Sequence, residues 1–219
     1  MQAAERHKQY EWKPSRLWYG IGRAVFALLF HSLWPLTIRG RENVPRNGAA
    51  IIVSNHVSML DPFVVGYGAG RIVNFMAKEE LFRTPIVGWF VRKLGAFPVD
   101  RARRDAASLR TALTVLKEDE LLGMFPEGTR GTGDGLLEFR TGALRLASRT
   151  RAPIVPTAVI GTEEALPRKK FVRPARLAVH FGPPVEVTEL YDNPKDPEAM
   201  ERAIEAMKAA VQALHDSID

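Results

Sequence analysis

The sequence predicts an α/β fold: a single domain with a mixed, largely parallel central sheet flanked by helices, preceded by an apolar helical segment. Two observations carry that prediction. From Gly40 onward, short apolar or β-branched runs alternate with stretches of helical periodicity. The 15 prolines and 17 glycines punctuate these runs with turns, which argues against a coiled coil or a simple bundle. The 219 residues suffice for one domain with a complete core. An apolar share of 46% and a charged share of 26% exclude a disordered or collagen-like chain. The chain contains no cysteine, which excludes disulfides, thiolate metal sites and a cysteine nucleophile.

Taken in order, Leu17 to Leu36 is apolar apart from Arg23 and His31. That is long enough for the ~20 residues of a membrane span, but its charges compromise it. Basic residues flank it on both sides, so no orientation is favoured, and no signal-peptide cleavage site follows. Trp12, Trp18, Tyr19 and Trp34 cluster near its ends, where amphipathic rings favour lipid headgroups. Residues 1–37 therefore read as a membrane-associating helical segment lying on one leaflet, with a helix packed on the core as the plainer alternative. Residues 38–219 form the main domain. Within it, Ala49–Val53 is a buried strand, and Pro62 marks a helix start. Ile72–Met76 is the next strand. A helix over Ile86–Leu94 stops at Gly95, and Ala96–Val99 is a short extended piece. A helix near Ala102–Lys117 and a strand at Leu121–Phe125 follow. Phe139–Ser148 is helical, and Ile154–Ile160 and Leu177–Phe181 are strands. Asp196-Pro197 opens a last amphipathic helix, on which Met200, Ile204, Met207, Val211 and Leu214 recur at helical spacing.

Charge is uneven. The net charge is +6, from 31 Lys and Arg against 25 Asp and Glu. Basic residues concentrate before Gly40 and again from Arg140 to Arg176, whereas the last thirty or so residues are acidic. Such stretches suit an anionic partner, a membrane surface or a nucleic acid, or else are solvated faces.

In open α/β sheets, reactive residues gather beyond the carboxyl ends of strands. Three strand exits carry unusual polar residues. After Ile51–Val53 come His56 and Asp61, five apart, which meet only if the chain bends from strand into helix at Pro62. Asp61 would then fix one imidazole nitrogen and leave the other free to take a proton from a hydroxyl. Equally, Asp61 is an ordinary helix cap. After Leu121–Phe125 come Glu127, Gly128, Thr129 and Arg130. They offer close backbone approach, a hydroxyl and a bidentate cationic fork, a set that suits phosphate or else makes a tight surface turn. It is not a Walker loop, because no Gly-Lys-Ser/Thr follows. After Ala96–Val99, Arg101 offers a second cationic fork.

Asn55-His56 with four residues before Asp61, Gly95–Arg101, Phe125–Arg130 and Ala152–Pro156 occur in the order of four blocks. They resemble the four motifs of the glycerolipid acyltransferase family, in its bacterial 1-acyl-glycerol-3-phosphate acyltransferase branch, over roughly Ile38 to Phe181. The resemblance implies that residues 38–219 are an acyltransferase domain making phosphatidic acid from lysophosphatidic acid. His56 would be the general base and Asp61 its orienting partner. Arg101, Glu127, Gly128, Thr129 and Arg130 would bind the acceptor around its phosphate, Glu127 by accepting from the glycerol hydroxyl or by holding an arginine. Lys78 matches a family position proposed to stabilise the oxyanion, and Pro153 and Pro156 would shape a pocket. No metal or cofactor is implied, because the thioester of an acyl-CoA or acyl-carrier-protein co-substrate is already activated. Membrane lipids and a lysophospholipid would be the partners, nucleic acid would not, and the protein would sit on the cytoplasmic face of the cell membrane. Other acceptors (glycerol-3-phosphate, a larger lysophospholipid or a glycolipid) remain open at this point, as does a non-catalytic basic module.

Overall fold

The central strands are apolar on both sides, as strands covered by helices on both faces must be. The computed structural model describes Trp12 and residues 14–99, 106–132, 135–168 and 171–217. Its strands are β1 (Leu36–Arg39), β2 (Ala50–Ser54), β3 (Val73–Lys78), β4 (Phe97–Val99), β5 (Leu121–Met124), β6 (Ile154–Ile160) and β7 (Leu177–Phe181). They form one sheet in the order β1-β7-β6-β2-β5-β3-β4. All neighbours are parallel except β6 and β7. β2 to β6 therefore share one direction, and β1 and β7 oppose it. The mixed, largely parallel α/β domain expected from the sequence is what the chain forms.

The described helices are α1 (Arg16–Ser32), α2 (Asp61–Ala69), α3 (Glu79–Arg83), α4 (Pro85–Lys93), α5 (Ala106–Lys117), α6 (Gly142–Thr150), α7 (Thr162–Ala165), α8 (Glu189–Asp192) and α9 (Pro197–Asp216). Alternation along β2 builds two core layers. Ile51 and Val53 face α5, α6, α8 and α9 through Val115, Leu144, Leu190 and Met207. Ala50 and Ile52 face α1 and α2 through Phe30, Val64 and Val65. Asp196 caps α9, accepting from the backbone N–H of Glu198 and Ala199.

The apolar run Leu17–Leu36 splits into two elements. Ser15 caps α1, the helix ends at Ser32, and Leu36 begins β1, which pairs with β7. Pro35 forbids the continuous helix that composition alone suggested. Two of the flanking tryptophans turn inward and are not headgroup anchors. Trp34 is buried, its Nε1 donating to the Arg173 carbonyl at 2.8 Å, and Trp12 donates to Asn74 Oδ1 at 3.0 Å. One side of α1 belongs to the core: Phe30 is buried, and Phe26 stacks on Phe63 with ring centroids 4.7 Å apart. Its other side exposes Leu17, Ile21, Val25 and Leu28 at helical spacing. Among the described residues, no helix is long and apolar enough to cross a membrane.

Candidate active site

Because β2, β3, β5 and β6 run parallel, their carboxyl ends meet at one edge of the sheet, and β2 lies between β6 and β5. His56 leaves β2, Lys78 closes β3, Phe125 to Arg130 leave β5, and Thr162 follows β6. Asn55 extends the β2–β6 ladder with its side chain. Its Nδ2 donates to the Val159 carbonyl at 2.8 Å, and its Oδ1 accepts from the Val159 N–H at 2.8 Å. The backbone before His56 is thereby fixed.

The bend that joins His56 to Asp61 exists. Asp61 is fully buried at the first position of α2, followed by Pro62. Its Oδ2 lies 2.8 Å from His56 Nδ1 and accepts from the backbone N–H of Val57 at 2.7 Å and Ser58 at 2.8 Å. Its Oδ1 accepts from the Thr162 hydroxyl. The helix-cap reading of Asp61 does not hold, because Leu60 is the N-cap residue and makes no side-chain cap bond, whereas the Asp61 carboxylate reaches back to the preceding turn and to the ring. An acceptor-only carboxylate at Nδ1 places the ring proton there and leaves Nε2 as the basic nitrogen. The imidazole also stacks on Phe125 (centroids 4.0 Å, interplanar angle 16°), which stacks on Phe75 at 5.4 Å. Both the rotation and the tilt of the ring are therefore constrained.

Glu127 lies behind this dyad. It is 4% exposed, and its Oε1 accepts from the His56 backbone N–H at 2.9 Å while Oε2 accepts from Leu137 N–H at 3.4 Å. Gly131 N–H in turn donates to the His56 carbonyl at 2.7 Å. The Glu127 carboxylate thus ties the β5 exit loop to the β2 exit loop. Burial raises its pKa above the ordinary carboxylate value, although both N–H contacts oppose that rise. The folded chain consequently holds this proton more tightly than the unfolded chain. Stability from Glu127 is complete below the ordinary value and is lost as pH rises through the raised one. Gly128 completes the turn at φ +70°, where a Cβ would also lie 2.8 Å from the Arg140 guanidinium.

A cavity of about 810 Å³ opens at this edge. His56, Lys78, Thr129 and Arg130 all line it, joined by Arg168 and Arg23. Its remaining wall is apolar and aromatic, including Phe26, Phe63, Phe75, Leu81, Phe90 and Leu94. Lys78 is exposed, with Nζ 3.7 Å from Glu80 Oε1. Glu127 and Gly128 do not line the cavity and act on it through the loops they hold. Arg101 lies outside the described residues. One compartment thus joins an oriented imidazole, a cationic rim and an apolar wall. It can hold an amphiphile with an anionic head and present a hydroxyl to imidazole.

Two participants escaped the sequence reading. Arg168 was hidden in the basic stretch Arg140–Arg176; its Nη2 donates to the carbonyl of Arg130 and, at 3.3 Å, to that of Gly131. Thr162 is fully buried, and its signal was a threonine just past the β6 end, after Gly161. Replacing it tests the outer support of the dyad. Thr162→Val should lower kcat about ten-fold, the equivalent of one hydrogen bond to a charged group, and Thr162→Ser should restore it.

The acyltransferase family model matches residues 35–160, more than half of the chain and a span that holds all four sequence blocks. The chain belongs to the acyltransferase family. The 1-acyl-sn-glycerol-3-phosphate acyltransferase of Bacillus subtilis is 30% identical over 84% of this chain and 93% of its own length. The enzyme of that name from Borreliella burgdorferi is 30% identical over 75% of this chain and 69% of its own. The crystal structure of the 1-acyl-sn-glycerophosphate acyltransferase PlsC from Thermotoga maritima superposes with a TM-score of 0.70 at 29% identity. That match covers 91% of this chain and 78% of the other. The acyltransferase fold thus extends well beyond the motif blocks, and the His56–Asp61 dyad stands at the carboxyl edge of its sheet.

Proposed function

We propose that this acyltransferase moves an acyl chain from acyl-CoA or acyl-carrier protein to the free hydroxyl of 1-acyl-glycerol-3-phosphate, giving phosphatidic acid. The observation that carries the reading is one cavity in which an imidazole held by a buried carboxylate shares walls with Arg130, Thr129 and apolar side chains. The relatives' names point to the same acceptor.

In this reading Nε2 of His56 removes the hydroxyl proton as the oxygen attacks the thioester carbonyl. The C–S bond then breaks, and the imidazolium returns the proton to the departing thiolate. Asp61 keeps the ring in the productive tautomer and offsets its transient positive charge. Arg130 and Thr129 hold the acceptor phosphate with Arg168 and Arg101, and Lys78 faces the developing oxyanion. The thioester is already activated, so the transfer needs no resident cofactor. The acceptor lives in a bilayer, and the exposed Leu17, Ile21, Val25 and Leu28 stripe of α1 suits shallow insertion into one leaflet. The working position is then peripheral or monotopic on the cytoplasmic face of the membrane.

A matrix of labelled acyl-CoA and acyl-carrier-protein donors against several acceptors tests this directly. Lysophosphatidic acid should be acylated fastest, with phosphatidic acid as product. Faster transfer to glycerol-3-phosphate or to a phosphate-free acceptor would overturn the acceptor assignment. Arg130→Ala should raise KM for lysophosphatidic acid about 10–100-fold with a smaller change in kcat, and Arg130→Lys should recover part of it.

A further inference from the structure

The loop between α7 and β7 has a firmly held base and carries two exposed apolar residues, Phe171 and Val172. Arg173 N–H donates to the Ala165 carbonyl at 2.9 Å and closes the loop on itself. The Arg173 carbonyl accepts from Trp34 Nε1 at 2.8 Å, which fastens this end to the residue just beyond α1. Arg168 fastens the other end through the Arg130 and Gly131 carbonyls, at the rim of the catalytic cavity. Ser58, inside the His56–Asp61 bend, donates to the Leu166 carbonyl at 3.2 Å.

Despite this anchoring, Phe171 is 92% exposed and Val172 is 50% exposed. An isolated surface apolar residue needs no explanation. Here a phenylalanine and a valine adjoin within a pinned loop, and the exposed Arg173 and Arg176 follow them in the chain. An exposed aromatic ring close in the chain to exposed arginines is complementary to an anionic bilayer, since the ring enters the acyl boundary while the arginines meet headgroup phosphates. A soluble acidic partner would be served by the arginines alone and would leave the ring without a function.

We infer that the loop around Phe171 is a second membrane contact, distinct from the α1 stripe, which seats the cavity rim against anionic lipid. The inference rests on the proposed acceptor being membrane-resident. It adds that the rim holding the acceptor phosphate and the α1 side of the domain are set on the bilayer by one bridging loop. The acceptor then needs to rise only part way out of the leaflet to reach His56.

The absence of cysteine makes the test clean. Phe171→Cys in the full chain, labelled with an environment-sensitive fluorophore, is mixed with vesicles of phosphatidylcholine alone or with added phosphatidylglycerol. The same label at Glu205→Cys, on an exposed position of α9, is the control. The Phe171 label should brighten and shift to the blue with anionic vesicles only, while the Glu205 label stays unchanged. In vesicle flotation, Arg173→Gln and Arg176→Gln should each weaken binding about five-fold. Turnover of a short-chain, monomeric lysophosphatidic acid should be unaffected by these two variants. No response of the label to anionic vesicles overturns the inference. So does a response to acyl-carrier protein in place of lipid. Vesicle binding is read without any acyl transfer, so failure of the proposed reaction and failure of this contact are distinguishable.

Discussion

His56→Ala should lower kcat for acyl transfer by about 10²–10⁴-fold, the range typical of a positioned general base. The melting temperature should change little. The ring's polar partner is Asp61, which retains Val57 N–H, Ser58 N–H and the Thr162 hydroxyl when the imidazole is removed. His56 also holds the loops together through its backbone N–H to Glu127 and its carbonyl to Gly131, and both survive truncation of the side chain. Binding of the acceptor, which depends on Arg130 and the apolar wall, should persist. Loss of kcat with preserved KM and preserved stability is therefore the expected signature, read by steady-state kinetics beside thermal unfolding.

Asp61 is expected to behave differently, because it serves the fold and the reaction at once. Asp61→Asn keeps the shape but removes the charge that offsets the imidazolium, and kcat should fall within the same range of about 10²–10⁴. Asp61→Ala should also destabilise the domain. It leaves two backbone N–H groups and a threonine hydroxyl without their acceptor in a fully buried site. At about 1–3 kcal/mol for each orphaned group, a total near 3 kcal/mol is a conservative expectation. That corresponds to a fall in Tm of about 6–12 °C for a chain of this size. Calorimetry separates the two variants: Asn inactive and folded, Ala inactive and visibly less stable.

Much of this arrangement was legible in the sequence, and what was not has identifiable physical causes. The short apolar runs at Ile154–Ile160 and Leu177–Phe181 mark their strands to the residue, because runs of that length suit buried strands and are too short for most helices. The order of the sheet was not legible. Nothing local tells that β2 lies between β6 and β5, and that placement brings Thr162 onto Asp61 and Glu127 onto His56. Glu127 illustrates the limit well. Its chemistry suggested a role on substrate or on an arginine, whereas its carboxylate is spent on two backbone N–H groups. Hydropathy overstates the length of the N-terminal helix, because it does not register that Pro35 breaks a helix and that Leu36 starts an edge strand. The His56–Asp61 pair was legible as a possibility only, since spacing of five meets solely through the bend that Pro62 permits.

An imidazole with Nδ1–H committed to Asp61 is expected to present a basic Nε2 to the acceptor hydroxyl inside the Arg130 cavity. Nitrogen-15 NMR of the histidine ring, assigned by loss of its signal in His56→Gln, measures this without turnover. With no donor present, Nδ1 of His56 should be protonated. Lysophosphatidic acid should shift its Nε2 resonance, and an analogue lacking the free hydroxyl should leave Nε2 unmoved while still binding. A protonated Nε2 with a bare Nδ1, or an Nε2 signal indifferent to the hydroxyl, would rule out His56 as the base.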